Sequence, residues 1–156
     1  MTTATSTMDT IVAQLSACHR VVHRNVDDIS NDEATVQPQP AGNTIFWVLR
    51  HITGTRERIL RSVGQTGFTA AGETLEEILA AYDRSQPLIA AALGALTDDE
   101  LDRKAPFSPT SNPNETLRSL LTTVAFHEAY HTGQLGVLRR LVGKEGAIKA
   151  PAAATA

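Results

Sequence analysis

The sequence predicts an all-α protein, a four-helix bundle, and three observations carry that expectation. Four long segments repeat apolar residues at a period near 3.6, Pro- and Gly-rich stretches separate them, and nowhere do apolar and polar residues alternate with the period of two that a half-buried strand needs. Ser/Thr-x-x-Glu signatures, in which a hydroxyl and a carboxylate each accept from the other residue's backbone N–H, mark helix starts.

The first long helix is expected from about Thr7 to Ile29, with Ile11, Leu15, Cys18, Val22, Val26 and Ile29 as its apolar stripe. Ser30-Asn-Asp-Glu33 then opens one short turn before Pro38 and Pro40 enforce a loop. Asn43 or Thr44 caps the second long helix, in which Ile45, Val48, Leu49, Ile52, Ile59 and Val63 precede a terminating Gly64. After a loop over 64–72, Thr74-Leu-Glu-Glu77 starts the third, which runs to about Leu96 with a kink expected at Pro87. Thr97-Asp-Asp-Glu100 opens another short turn, and Pro106, Pro109 and Pro113 keep 104–113 out of regular helix. The fourth long helix starts near Asn114 or Thr116 and stops at Gly143, with Arg139 and Arg140 set against its negative C-terminal end. This punctuation implies one bundle domain over 1–149, with a long connection between the first two helices that permits a crossover, and a disordered tail over 150–156.

Composition narrows the function classes. A chain of 156 residues with 42% hydrophobic and 20% charged residues has room for a substantial core. Its net charge of −3, without a Lys/Arg run, argues against a nucleic-acid surface, and 4% aromatic residues leave few stacking platforms. One cysteine forbids an intrachain disulfide, and no apolar run approaches the roughly 20 residues of a membrane span. The start lacks the basic-then-apolar pattern of a secretory signal, so a cytoplasmic location is expected, with no membrane partner. Cys18, on its helix's apolar stripe, reads as a small buried hydrophobe.

The histidines stand out against this background. With 5 His in 156 residues, chance supplies only about 0.16 His-x-x-x-His pairs, yet there are two: His19/His23 and His127/His131. On a helix, residues four apart share a face, so two imidazoles can converge on one cation. His131 projects within about 20° of its helix's apolar centre and His127 within about 60°, whereas His19 lies about 55° and His23 about 100° off theirs. The second pair therefore reads as a pair of inward rings that need partners, and metal ligation competes with ordinary hydrogen bonding in the core. The first pair reads as a solvated flank, with a surface metal pair as the minor alternative.

A zinc-like site needs a third ligand. His51, Glu128 and, less favourably, His19 or Cys18 are the candidates; periodicity alone does not select His51, about 110° from its helix's stripe centre. Glu128 could equally be an acceptor behind a ligand, a general base, a fourth ligand or the partner of a bundle arginine. Trp47, one turn before His51, either lines a pocket or packs, and Gly133 with Gln134 points to close helix packing or a dimer contact.

The stretch Asn43-Thr-Ile-Phe-Trp-Val-Leu-Arg-His51-Ile-Thr-Gly, followed by His127-Glu-Ala-Tyr-His131-Thr-Gly-Gln-Leu, resembles the DinB/YfiT-like superfamily of metal-binding four-helix bundles. The resemblance covers nearly the whole chain in element order, and its specific part is the lone second-helix His with the His-x-x-x-His-x-Gly-Gln segment. It implies a metal triad at His51, His127 and His131, an up-down-down-up helix order, a divalent ion such as Zn2+ or Ni2+, homodimers, and thiol-dependent transferase or isomerase relatives. The functional expectation is a metal-dependent enzyme that activates water or a low-molecular-weight thiol against a small electrophile, its mouth walled by loops 37–43 and 104–113. The alternatives are a noncatalytic dimeric metal-bound scaffold or stress-related binding protein, and a metal-free bundle with hydrogen-bonded histidines.

Overall fold

The computed structural model describes residues 6–39 and 41–149; the expected tail at 150–156 lies outside them, as does Pro40. Six helices follow in order: α1 Thr7–Val26, α2 Asn31–Ala34, α3 Ile45–Ser62, α4 Leu75–Gly94, α5 Asp98–Asp102 and α6 Leu117–Leu141. No strand forms among the described residues; the one β-type contact is an isolated bridge between Lys104 and Thr116.

The helix starts follow the side-chain chemistry. Capping boxes form at Ser30/Glu33, Thr74/Glu77 and Thr97/Glu100, and two more form at Ser6/Asp9 and Thr116/Ser119, where shorter side chains do the work of Glu. Gly64 and Gly143 adopt φ of 86°, the left-handed conformation glycine takes without a Cβ clash. At the first of these, Gly64 N–H donates to the Arg61 carbonyl and Gln65 N–H to that of Leu60, closing a Schellman motif. α1 stops at Val26, short of the expected Ile29, because the chain turns there to place Ser30 as the next N-cap. α4 continues through Pro87, which withholds the N–H that would bond the Asp83 carbonyl.

The four long helices close a ring: α1 packs on α4 and α6, and α3 packs on the same two. Their stripes form two apolar clusters. Leu15, Leu60, Leu93, Leu117 and Leu120 anchor one; Val22, Leu49, Ile52, Ile78 and Leu135 anchor the other. Each fully buried side chain of this size contributes about 1.5–3 kcal/mol relative to exposure.

Between the clusters lies a polar layer built by all four long helices. Arg56 of α3, fully buried, donates from Nε to Glu128 Oε2 at 2.8 Å and from Nη2 to Oε1 at 2.6 Å. Tyr82 and Ser85 of α4 complete it: Tyr82 Oη donates to Glu128 Oε1 at 2.8 Å, and Ser85 Oγ accepts from Arg56 Nη1 at 3.0 Å. The Leu15 carbonyl of α1 takes a further contact from Arg56 at 3.5 Å. A charge is tolerated this deep only when nearly every donor and acceptor is matched.

Candidate metal centre

α3 and α6 bring three imidazoles together, with His127 and His131 flanking Glu128 of the polar layer along α6. His127 and His131 project from one side of α6, one turn apart, and His51 approaches from α3. The ring centroids lie 4.9 Å apart for His51–His127, 4.8 Å for His51–His131 and 4.5 Å for His127–His131. One potential ligand atom from each lies within 4.8 Å of the others, and the Nε2 atoms of His51 and His127 are 2.9 Å apart. Zinc bonds of about 2.0–2.1 Å to nitrogen set tetrahedral ligand atoms roughly 3.3 Å apart, so the cluster could hold such an ion after small ring rotations.

The surroundings favour the neutral form of His51 and His127. Burial lowers the pKa of His51, assisted by nearby His131, and the same causes together with His51 push His127 down to about 4. Neutral imidazole is the form that offers a lone pair to a metal. His131, 8% exposed, holds Gln134 Oε1 at 2.9 Å with its Nδ1, which therefore carries the proton and leaves Nε2 as the acceptor. His127 Nδ1 is buried without a partner among the described residues, so this ring has no ordinary hydrogen-bonding arrangement apart from the other histidines.

Trp47 is 43% exposed and stacks on His51 at 4.8 Å with an interplanar angle of 10°, shielding one face of the cluster. Glu128, adjacent to His127, points away into the polar layer, where both its oxygens bind Arg56. It lies with the bundle arginine, not among the convergent imidazoles. Cys18 is buried, and burial followed by Glu128 raises its thiol pKa; it too lies outside the cluster.

A cavity of about 210 Å3 opens beside the triad, lined by His51, Thr55, Arg58, Phe107, Pro109, Thr123, Val124 and His127. The 104–113 loop thus supplies a wall, whereas no described residue of 37–43 lines this space. The loop is anchored through Glu115, which accepts from Ser108 Oγ at 2.7 Å and is bonded by Ser119, while Ala105 N–H donates to the Glu115 carbonyl. Arg58 rests over Phe107, its guanidinium carbon 3.5 Å from the ring centre.

His19 and His23 do not form a free solvated flank. Both are half-buried, and both Nε2 atoms meet Asp83 Oδ1 of α4, at 2.8 and 2.7 Å. Asp83 and the buried Arg56 escaped the sequence reading, since neither belongs to a local motif and each gains meaning only from a distant helix. Arg56 left one trace: an arginine among Ile52, Ile59 and Leu60, on a face that otherwise goes to the core.

Residues 14–135 match the DinB superfamily. The fold is shared with the crystal structure of YjoA, a DinB-like protein from Bacillus subtilis, at a TM-score of 0.70 and 21% sequence identity, covering 87% of this chain and 94% of that one. No curated protein matches the sequence. The match spans α3 and the histidine-bearing part of α6 together with most of the bundle, and the chain belongs to the DinB superfamily.

Proposed function

We propose that this chain is a divalent-metal protein with His51, His127 and His131 as ligands, and that it uses the ion to activate water or a low-molecular-weight thiol against a small electrophile. The observation that carries the reading is the convergence of three imidazoles, one with an orphaned ring nitrogen, beside an open cavity. The same orphaned nitrogen speaks against a metal-free core in which every histidine is satisfied by hydrogen bonds.

A bound Zn2+ or Ni2+ would supply a Lewis acid that brings the pKa of a coordinated water or thiol towards neutrality. The chain's own residues do the rest. Gln134 fixes the His131 tautomer, Trp47 covers His51 from water, and Phe107, Pro109 and Val124 give a substrate an apolar wall. Arg58, at the cavity, offers a cation to an acidic group on substrate or thiol. Glu128 is committed to Arg56 and acts in this reading as a positioning residue.

We further infer one domain over 1–149 in up-down-down-up order. Gln14 near the start of α1 reaches the Ala125 carbonyl of α6, and Arg139 near the end of α6 reaches that of Asn25, so these two helices run parallel. No described helix is long and apolar enough to cross a membrane, which supports a cytoplasmic site of action. The alternative, a noncatalytic dimeric scaffold, draws support from Phe126, Tyr130, Val137 and Leu141, an exposed apolar stripe along α6 opposite its core face. A Cβ at Gly133 in this stripe would meet nothing, so it leaves room for a second copy of the helix. Phe126→Glu with Leu141→Glu should convert a dimer to a monomer in light scattering; a wild-type monomer ends that idea.

Elemental analysis of untagged protein tests ligation, and screening small electrophiles with and without several thiols tests catalysis. One divalent ion per triad with thiol-dependent turnover supports the enzyme; a bound ion with no turnover across the panel supports the scaffold.

A further inference from the structure

The second histidine pair carries an inference independent of the triad. α1 presents His19 and His23 one turn apart, their ring centroids 4.9 Å from each other, much as in the triad. α4 brings Asp83 against both, so that two imidazole Nε2 atoms and one carboxylate oxygen meet within 2.7–2.8 Å contacts, and all three ligand atoms lie within 4.8 Å of one another. We propose that His19, His23 and Asp83 form a second divalent-cation site that clamps α1 to α4.

Two imidazoles and a carboxylate are a donor set for first-row divalent ions such as Zn2+ or Co2+, with positions left for water. The surroundings hold these ligands in place. His23 Nδ1 lies 2.7 Å from Asp27 Oδ1, so a carboxylate orients the ring from its far nitrogen and strengthens Nε2 as a ligand. The His19 ring stacks on Tyr82 at 5.2 Å, and the hydroxyl of Tyr82 is itself fixed on buried Glu128. Neither Asp83 nor Asp27 has a Lys or Arg partner among the described residues, so the two carboxylates concentrate negative charge around the imidazoles. Asp83 is 44% exposed, which gives a hydrated ion a path from solvent. A salt link alone requires neither the convergence of both rings on one oxygen nor the carboxylate behind His23.

The test is a Co2+ and Zn2+ titration of the full, untagged chain after chelator treatment, at pH 8. Two cations per chain are expected, one of them retained when His51→Ala and His127→Ala are combined. Asp83→Asn should weaken that cation by about tenfold or more, a loss that a two-histidine surface site without the carboxylate would not show. In the unmodified protein, paramagnetic Co2+ should shift the ring resonances of His19 and His23, a readout that needs no variant to fold. No cation bound by the combined His51→Ala and His127→Ala variant while wild type binds one, an Asp83→Asn affinity equal to wild type, or unshifted His19 and His23 resonances at saturating Co2+ overturns the proposal. Each of these results leaves the triad reading untouched, because the two clusters share no residue.

Discussion

His127/His131 and His19/His23 have the same spacing on helices of the same fold, and they sit in opposite electrostatic surroundings. The α6 pair faces a third imidazole, with no carboxylate in the cluster, and burial leads the lowering of the pKa of both His51 and His127. The α1 pair faces Asp83, with Asp27 behind, and these carboxylates overcome the opposing effect of burial to raise the pKa of His23. One environment favours the free lone pair and the other the extra proton. A His-x-x-x-His spacing therefore specifies a shape, while the facing helix decides whether protons compete strongly or weakly for it.

The Arg56–Glu128–Tyr82 layer adjoins both histidine clusters, Tyr82 stacking on His19 and Glu128 following His127 on α6, and the largest effect should come from breaking it. Arg56→Ala leaves a buried carboxylate without its partner and should lower stability by about 3–5 kcal/mol in urea denaturation. Replacing the pair together, as Arg56→Met with Glu128→Leu, should recover much of that loss. If Arg56→Ala is neutral, the layer does not couple the helices that carry the two clusters.

Within the α6 cluster, His131→Ala should abolish stoichiometric metal retention after dialysis, measured by elemental analysis, whereas His19→Ala should leave the triad's ion in place. Gln134→Leu removes only the acceptor behind His131 and should weaken metal binding by about 10–100-fold, read by competition with a chromogenic chelator. Equal retention in Gln134→Leu and wild type would mean that the tautomer is fixed by something else.

The smallest effects concern pH in the metal-free protein, and they should have opposite signs. His127 is pushed from 6.5 to about 4, so its favourable contribution is present above 6.5 and disappears as pH falls through about 4. His23 is raised above 6.5, so its contribution is present below that value and disappears as pH rises through the folded pKa. Denaturation of His127→Gln and His23→Gln across pH 4–8 should therefore remove slopes of opposite direction. Slopes of one sign would erase the contrast between the clusters.

Much of the architecture was legible from local chemistry. The capping signatures at Ser30, Thr74 and Thr97 and the glycines at 64 and 143 act through backbone N–H groups within a few residues, so a linear reading captures them. The inward register of His131 followed from the stripe on α6, which the core buries. His51 did not follow in this way: its place about 110° from its own stripe made sense only through family resemblance, because it faces α6 across a groove instead of the bundle centre. The solvated-flank expectation for His19 and His23 was incomplete for the same reason, since Asp83, which meets both rings, comes from a helix 60 residues away in the chain.

The order of residues by itself determined where helices begin and end, which faces they bury and which side chains can neighbour one another one turn apart, because those outcomes depend on interactions within a few residues. Only the packing of α3 and α4 against α1 and α6 decided what each imidazole pair meets: a third imidazole in one place, a carboxylate in the other. Burial and Coulomb interactions act through space, and the distances that set their strength exist only once the helices have docked.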